Sequence, residues 1–113
     1  MHYARTSEAV ARRCRRQGRA LTIARFDGAD GTVDVQALVC FRRLRDFLDG
    51  LGTRLSATHC LTVEVADRRS LARVAEARLS VFGDQKPRVI SSRFTRLPPG
   101  ELVRVTVTTA AGG

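Results

Sequence analysis

Residues 61–107 are LTVEVADRRSLARVAEARLSVFGDQKPRVISSRFTRLPPGELVRVTV, and this stretch dominates the prediction of the fold. Apolar and polar residues alternate over 61–65, as in a strand with one buried face. One short capped helical turn is predicted over 67–74. The turn sequences Gly83-Asp84 and Pro98-Pro99-Gly100 then separate three further predicted strand segments, at 79–81, 89–94 and 103–107. The second half of the chain is therefore predicted to be a short helix followed by a meander.

Upstream of this stretch, a β-hairpin is predicted. Over residues 21–26, apolar residues alternate with polar or small ones, as in a strand. The following sequence, Asp27-Gly28-Ala29-Asp30-Gly31, consists of residues typical of turns. The segment 33–41 then places apolar residues at every second position, which predicts a long strand with one apolar face. Its apolar positions are Val33, Val35, Ala37, Val39 and Phe41.

The segment 42–56 interrupts the strand pattern. Four of its apolar residues have the spacing i, i+3, i+4, i+7 of a short amphipathic helix, which Gly50 and Gly52 end after about two turns. They are Leu44, Phe47, Leu48 and Leu51. Such an excursion either covers one end of the sheet or forms a subunit interface.

The N-terminal segment predicts a basic helix. Thr6 or Ser7 can cap a helix over 8–17, and Gly18 lies where helices end in a left-handed residue. Residues 1–26 contain seven arginines against one glutamate, a balance of +6 within a chain whose net charge is +9. The positive charge is therefore mostly local.

The arginine cluster is the strongest local signal for binding. Guanidinium groups attract phosphates and also match carboxylates bidentately, so the cluster predicts contact with phosphate or with an acidic partner. A solvated arginine-rich face is the alternative interpretation. No aromatic residues are interleaved for base stacking, so any nucleic-acid contact would be independent of sequence. The residues are Arg12, Arg13, Arg15, Arg16 and Arg19.

Together these elements predict a mainly β fold with some helix, a small antiparallel β-barrel or sandwich of five to six strands. We expect one domain over 1–113, since this length is typical of a single domain. It divides into the basic helix at 1–20, the barrel or sandwich at 21–109 with its excursion at 42–56, and a tail at 110–113.

Composition narrows the classes of protein further. The chain is 43% hydrophobic but only 5% aromatic, without Trp, so aliphatic residues must fill the core. No apolar run approaches the roughly 20 residues of a membrane span, and no signal peptide is recognisable. Three widely spaced cysteines predict reduced thiols in place of a disulfide framework.

No catalytic or cofactor motif is recognisable. The glycines do not form a phosphate-binding loop. His59 and Cys60 are adjacent in the sequence, and adjacent residues do not have the spacing of zinc ligands. Glu64 and Glu76 are explained as solvated residues of a strand and a helix end. We therefore expect no enzyme activity, no metal and no cofactor.

The order of elements, and residues 61–107 above all, resembles the head-tail joining proteins of lambda-type tailed phages and phage-like gene-transfer particles. Family members show there a strand, an acidic-capped turn, a strand with a glycine-containing hairpin, a further strand and a closing strand.

This resemblance implies a structural connector that forms a homo-oligomeric hexamer or dodecamer ring in the virion neck, assembled in the bacterial cytoplasm. Its partners would be the portal or adaptor and tail proteins, with DNA passing through the lumen without sequence specificity. The alternative function is a small monomeric basic β-barrel that binds nucleic acid through phosphates. The two hypotheses differ in oligomeric state and in the salt dependence of binding.

Overall fold

The computed structural model describes residues 12–16, 19–27 and 30–110, with side chains from Asp27 onward, Ala110 excepted. Five strands form one open sheet in the order β1-β2-β5-β3-β4. All neighbouring strands are antiparallel except β3 and β4, which are parallel. The elements, in chain order, are β1 (Arg12–Arg16), β2 (Arg19–Asp27), α1 (Val33–Gly50), a 3-10 turn (Leu55–Ala57), β3 (Cys60–Val65), a second 3-10 turn (Arg68–Ser70), α2 (Leu71–Phe82), β4 (Val89–Phe94) and β5 (Val103–Ala110).

Helix α1 replaces the long strand predicted over 33–41, so that prediction is wrong. Thr32 caps the helix by accepting a hydrogen bond from the amide of Val35, and Asp34 lies in the first turn, where a negative charge is favourable. The residues that α1 buries have helical spacing and include polar and small positions that a strand pattern leaves out. They are Gln36, Ala37, Cys40, Phe41, Leu44 and Leu48.

The predicted two-turn helix in the excursion is the second half of α1. The expected end of the helix is confirmed, since α1 ends at Gly50 and Gly52 has a φ of 73°, which an L side chain rarely adopts.

Helix α2 replaces the predicted strand at 79–81, and the predicted helical turn at 67–74 is only its beginning. The sequence LARVAEARLSVF is rich in good helix formers, and Gly83, with a φ of 64°, follows its last residue. Because β3 and β4 are parallel, the chain must cross over between them, and α2 is this crossover.

The core lies between the helices and one face of the sheet. The predicted strands at 61–65, 89–94 and 103–107 are confirmed, and the alternating residues of β3 and β5 are buried. Phe41 of α1 meets Phe82 of α2 edge to face, with ring centroids 6.3 Å apart. Burial raises the pKa of the Cys40 thiol to about 12, with a smaller contribution from Asp27, so this thiol is inert at neutral pH.

The predicted antiparallel barrel or sandwich is therefore wrong: the sheet is open and mixed, and the helices cover one of its faces. The predicted N-terminal helix is also wrong from Arg12 onward, where β1 and β2 pair as a hairpin with Arg16 opposite Arg19. Of the predicted tail at 110–113, Ala110 belongs to β5 and is paired with Leu21. Residues 111–113 and the remainder of the predicted helix lie outside the described residues. Among the described helices, none has the length and apolar character to cross a bilayer.

Candidate functional site

The sheet face opposite the helices is polar, and strand register decides which residues it holds. Cross-strand partners lie on the same face, and residues alternate between faces along a strand. Thr62 is paired with Ser91 and Thr106, and Glu64 is paired with Arg93 and Arg104. We call this surface the open face; within β3, β4 and β5 it comprises Cys60, Thr62, Glu64, Val89, Ser91, Arg93, Arg104, Thr106 and Thr108.

A row of alternating charges crosses the open face. Asp27 of β2 is the register partner of Arg104 on β5, which is opposite Glu64 on β3, which is in turn opposite Arg93 on β4. Opposite charges directly across a sheet stabilise the pairing. Four successive strands thus contribute one charged residue each, of alternating sign.

Within this row, Arg104 is held in place. Its Nε and Nη2 atoms donate to the Glu101 carboxylate at 2.8 and 2.9 Å, and Nε lies 3.4 Å from Asp27 Oδ1. The bidentate contact with Glu101 raises the pKa of the Arg104 guanidinium above its ordinary value. Arg104 is consequently a fixed positive charge beside Glu64.

Arg93 is the most exposed residue of the row, and Glu64 lies beside it. Arg93 Nε lies 3.9 Å from Glu64 Oε2, at the limit of an ion pair, and the Arg93 side chain is 64% exposed while that of Glu64 is 20% exposed. An exposed guanidinium can bind a small carboxylate bidentately, and a half-buried carboxylate can accept a proton from water. Among the described residues, no group of three or more acidic, histidine or cysteine side chains could hold a metal ion.

The predicted arginine cluster lies elsewhere, at the β1–β2 hairpin. Four of its residues belong to β1 and Arg19 begins β2, so they do not share one face of a helix. Contact of these residues with phosphate or with an acidic partner stays a prediction. The four on β1 are Arg12, Arg13, Arg15 and Arg16.

The predicted interface residues lie on α1 and at its end. Leu44 and Leu48 are buried in the core, which explains their pattern without a partner. Phe47 packs partly against the core, and Leu51 is 49% exposed. Only Phe47 and Leu51 of this set are left for contact with a second chain, and that contact stays a prediction.

The sequence pattern predicts Glu64 as a solvated strand residue, and it does not identify Arg93 as a site residue. The available signal was parity, since both residues occupy the polar positions of strands whose locations were predicted correctly. Parity alone does not indicate that β3 and β4 are neighbours, because the sequence pattern predicts a turn and a strand in place of the crossover helix between them.

The solved structures similar to this chain share one fold. A Mycobacterium tuberculosis protein of the YjgF/YER057c/UK114 family is 24% identical, with a TM-score of 0.68 over 80% of this chain and 79% of that one. A YjgF family protein of Neisseria meningitidis is 15% identical, with a TM-score of 0.71 over 85% and 82%. RidA of Psychrobacter is 16% identical, with a TM-score of 0.69 over 80% of each chain. No family model and no curated protein matches the sequence.

These likenesses show the YjgF-type fold, and the resemblance to phage head-tail joining proteins is therefore wrong. The resemblance depends on the order of elements predicted over 61–107. That order is incorrect because the sequence pattern predicts a turn and a strand where the structure has the single helix α2. The connector function, the virion-neck location, and the portal, tail and DNA partners have no support from this fold. The alternative of a basic β-barrel that binds nucleic acid fails with the barrel.

The expectation of a non-enzymatic protein is also contradicted. It rested on the absence of a recognisable motif, yet one similar structure, from Thermotoga maritima and 18% identical, is described as a candidate endoribonuclease. Of the predicted partners, only a second copy of the same chain agrees with the fold. The predicted hexamer or dodecamer ring has no support from it.

Proposed function

We propose that the chain is a small-molecule enzyme of the YjgF/RidA type that hydrolyses the imine of a carboxylate-bearing substrate. The observation that carries the proposal is the pair formed by the exposed Arg93 and the less exposed Glu64, on a sheet face that the described helices leave uncovered. The fold supports it, because RidA/YjgF proteins are reported with imine deaminase or endoribonuclease-like roles.

The chemistry assigns a distinct role to each residue. Arg93 binds the substrate carboxylate, which places the adjacent imine carbon above β3 and β4. Glu64 accepts a proton from a water molecule as its oxygen adds to the imine carbon, and returns that proton to the nitrogen. The resulting hydroxyl group then gives its proton to the amino nitrogen through Glu64 as the C–N bond breaks, so that a 2-imino acid and water give a 2-oxo acid and ammonia. Arg104, held by Glu101, is the register partner of Glu64 on β5 and keeps a fixed positive charge beside it.

The activity test uses an amino-acid oxidase to generate a 2-imino acid in solution, in the presence of semicarbazide, which traps the imine. The measured quantity is the rate at which 2-oxo acid forms in competition with this trapping. We expect the chain to accelerate hydrolysis, and Glu64→Gln to reduce kcat by about 100-fold or more. Arg93→Gln should act mainly on KM, because it removes substrate binding.

Glu76→Gln is the matched control, since Glu76 is exposed on α2 and the chemical change is the same. It should leave the rate unchanged. Hydrolysis that persists in a folded Glu64→Gln variant would overturn the role of Glu64, and cleavage of RNA without imine hydrolysis would overturn the proposed reaction.

We also propose that the chain functions as a homo-oligomer. The edge strand β4 exposes Val89, Ile90 and Phe94 at 50%, 38% and 56%, and an exposed apolar edge is typical of an association surface. YjgF family proteins are typically trimers. Sedimentation analysis should show a homo-oligomer, and Phe94→Glu should shift it toward monomer. A wild-type chain that sediments as a monomer at the assay concentration would contradict this part of the proposal.

A further inference from the structure

A cavity of about 320 Å³ lies on the helix side of the sheet, between α2 and the strands β3 and β4. This volume is at the lower end of the range of small-molecule sites, which is about 300–1,000 Å³. The polar side chains in its wall are Arg78 and Ser92, and two small residues of α2, Ala72 and Ala75, line its exposed side. The remaining wall is apolar and consists of Phe41, Val63, Leu71, Val74 and Ile90.

Arg78 is the unexplained group in this wall. Its Nη1 atom is buried and has no hydrogen-bond partner within the part of the chain that the structure describes. A guanidinium keeps its charge in proteins, and a buried charged donor without an acceptor is unfavourable. Arg78 lines the cavity and its side chain is not fully buried, so a rotation of the guanidinium toward the cavity would bring it within reach of an acceptor there.

The wall chemistry defines the acceptor. The planar guanidinium fork matches a carboxylate, and one cation balances one negative charge. A phosphate dianion would lose its hydration shell in a cavity whose walls are mostly apolar. A single cation would balance only one of its two negative charges. The apolar wall favours a hydrocarbon substituent, and the Ser92 hydroxyl offers one further donor.

We propose that this cavity binds a small monocarboxylate with a branched or aromatic hydrocarbon tail, whose carboxylate is bound by Arg78. The site is separate from the proposed hydrolytic site. Val63 and its register partner Ser92 face the helices, whereas the next residues, Glu64 and Arg93, lie on the open face. The two sites are therefore on opposite sides of the same two strands.

The test uses 4-methylpentanoate as the probe, titrated into the full chain and followed by isothermal calorimetry and by amide chemical shifts. We expect shift changes over 71–78 and 90–92, and binding at least tenfold weaker for the neutral 4-methylpentanamide and for acetate, which lacks the tail. Arg78→Gln should weaken binding of 4-methylpentanoate at least tenfold. Arg78→Lys, which keeps the charge, should give an intermediate affinity.

Arg73→Gln is the matched control. Arg73 lies on the same helix, is exposed and contacts Asp34 at 3.1 Å, so the substitution removes the same charge away from the cavity. Its affinity for the probe should equal that of the wild type. Equal binding of the amide, unchanged binding in Arg78→Gln, or shift changes at Thr62, Arg104 and Thr106 in place of the cavity would each overturn the proposal.

The two proposals fail independently. Glu64→Gln should retain binding of the probe, and Arg78→Gln should retain imine hydrolysis in the absence of the probe. If Arg78→Gln does not fold, the comparison of 4-methylpentanoate with its amide on the wild-type chain and on Arg78→Lys still decides the outcome.

Discussion

Leu48→Asp is expected to abolish the cooperative unfolding transition of the protein. The Leu48 side chain is 1% exposed and belongs to the core cluster between α1 and the sheet. Removing the leucine side chain alone costs about 2–5 kcal/mol, and an unpaired carboxylate in its place adds a desolvation penalty of several kcal/mol. The sum reaches the whole stability of a small domain, which is about 5–15 kcal/mol.

The matched control for this prediction is Leu51→Asp, three residues further along. Leu51 is 49% exposed at the end of α1, so the same chemical change should alter the free energy of unfolding by about 1 kcal/mol or less. Thermal melts followed by circular dichroism measure both variants. A folded Leu48→Asp protein with lost self-association would instead identify Leu48 as an interface residue, against its burial in the core.

The strands of the second half were predictable because their alternation is unambiguous. Leu61, Val63 and Val65 alternate with the polar residues Thr62 and Glu64. Val103, Val105 and Val107 alternate with Arg104 and Thr106 in the same way. These six residues face one another in register on the helix side of the sheet. A short period-two pattern with β-branched residues leaves little room for a helical alternative.

The helices were mistaken for strands where apolar residues satisfied both periods. In VDVQALVCF, the period of two selects Val33, Val35, Ala37, Val39 and Phe41. Of these, α1 buries only Ala37 and Phe41; it leaves Val35 exposed and buries Gln36 and Cys40 instead. A buried glutamine has no apolar signal, so the helical stripe was hidden. The burial of Gln36 depends on tertiary contacts, because its hydrogen-bond partners Gly100 and Leu102 lie more than sixty residues away in the sequence.

The candidate site was less predictable than the strands. Glu64 and Arg93 are far apart in sequence, and they meet only because α2 returns the chain parallel to β3. With α2 divided between a turn and a strand, the sequence favoured an antiparallel meander, in which other residues would be neighbours. The cavity beside Arg78 depends on the same helix and was hidden for the same reason.

Gln36→Leu is expected to lower the free energy of unfolding by about 3 kcal/mol. The Gln36 side chain is 1% exposed; its Nε2 atom donates to the carbonyls of Gly31 and Gly100 at 3.1 and 2.9 Å, and its Oε1 atom accepts from the Leu102 amide at 2.8 Å. Leucine has a similar volume but no polar atoms. Three backbone groups therefore lose their partners, each at a cost of about 1–3 kcal/mol where water cannot replace the bond.

The location of these bonds gives a second measurement that separates their loss from general destabilisation. Gln36 lies in the first turn of α1 and connects it to the loop that leads into β5, so its removal releases that loop first. Hydrogen exchange should accelerate at the Leu102 amide, which has lost its acceptor, more than at the β5 amides, which keep their ladder partners.

Gln85→Leu is the matched control, because Gln85 is exposed and the change is identical, and its stability should stay within about 0.5 kcal/mol of the wild type. Equal stability of the two variants would show that water replaces all three bonds, and that Gln36 does not hold the loop before β5 against α1.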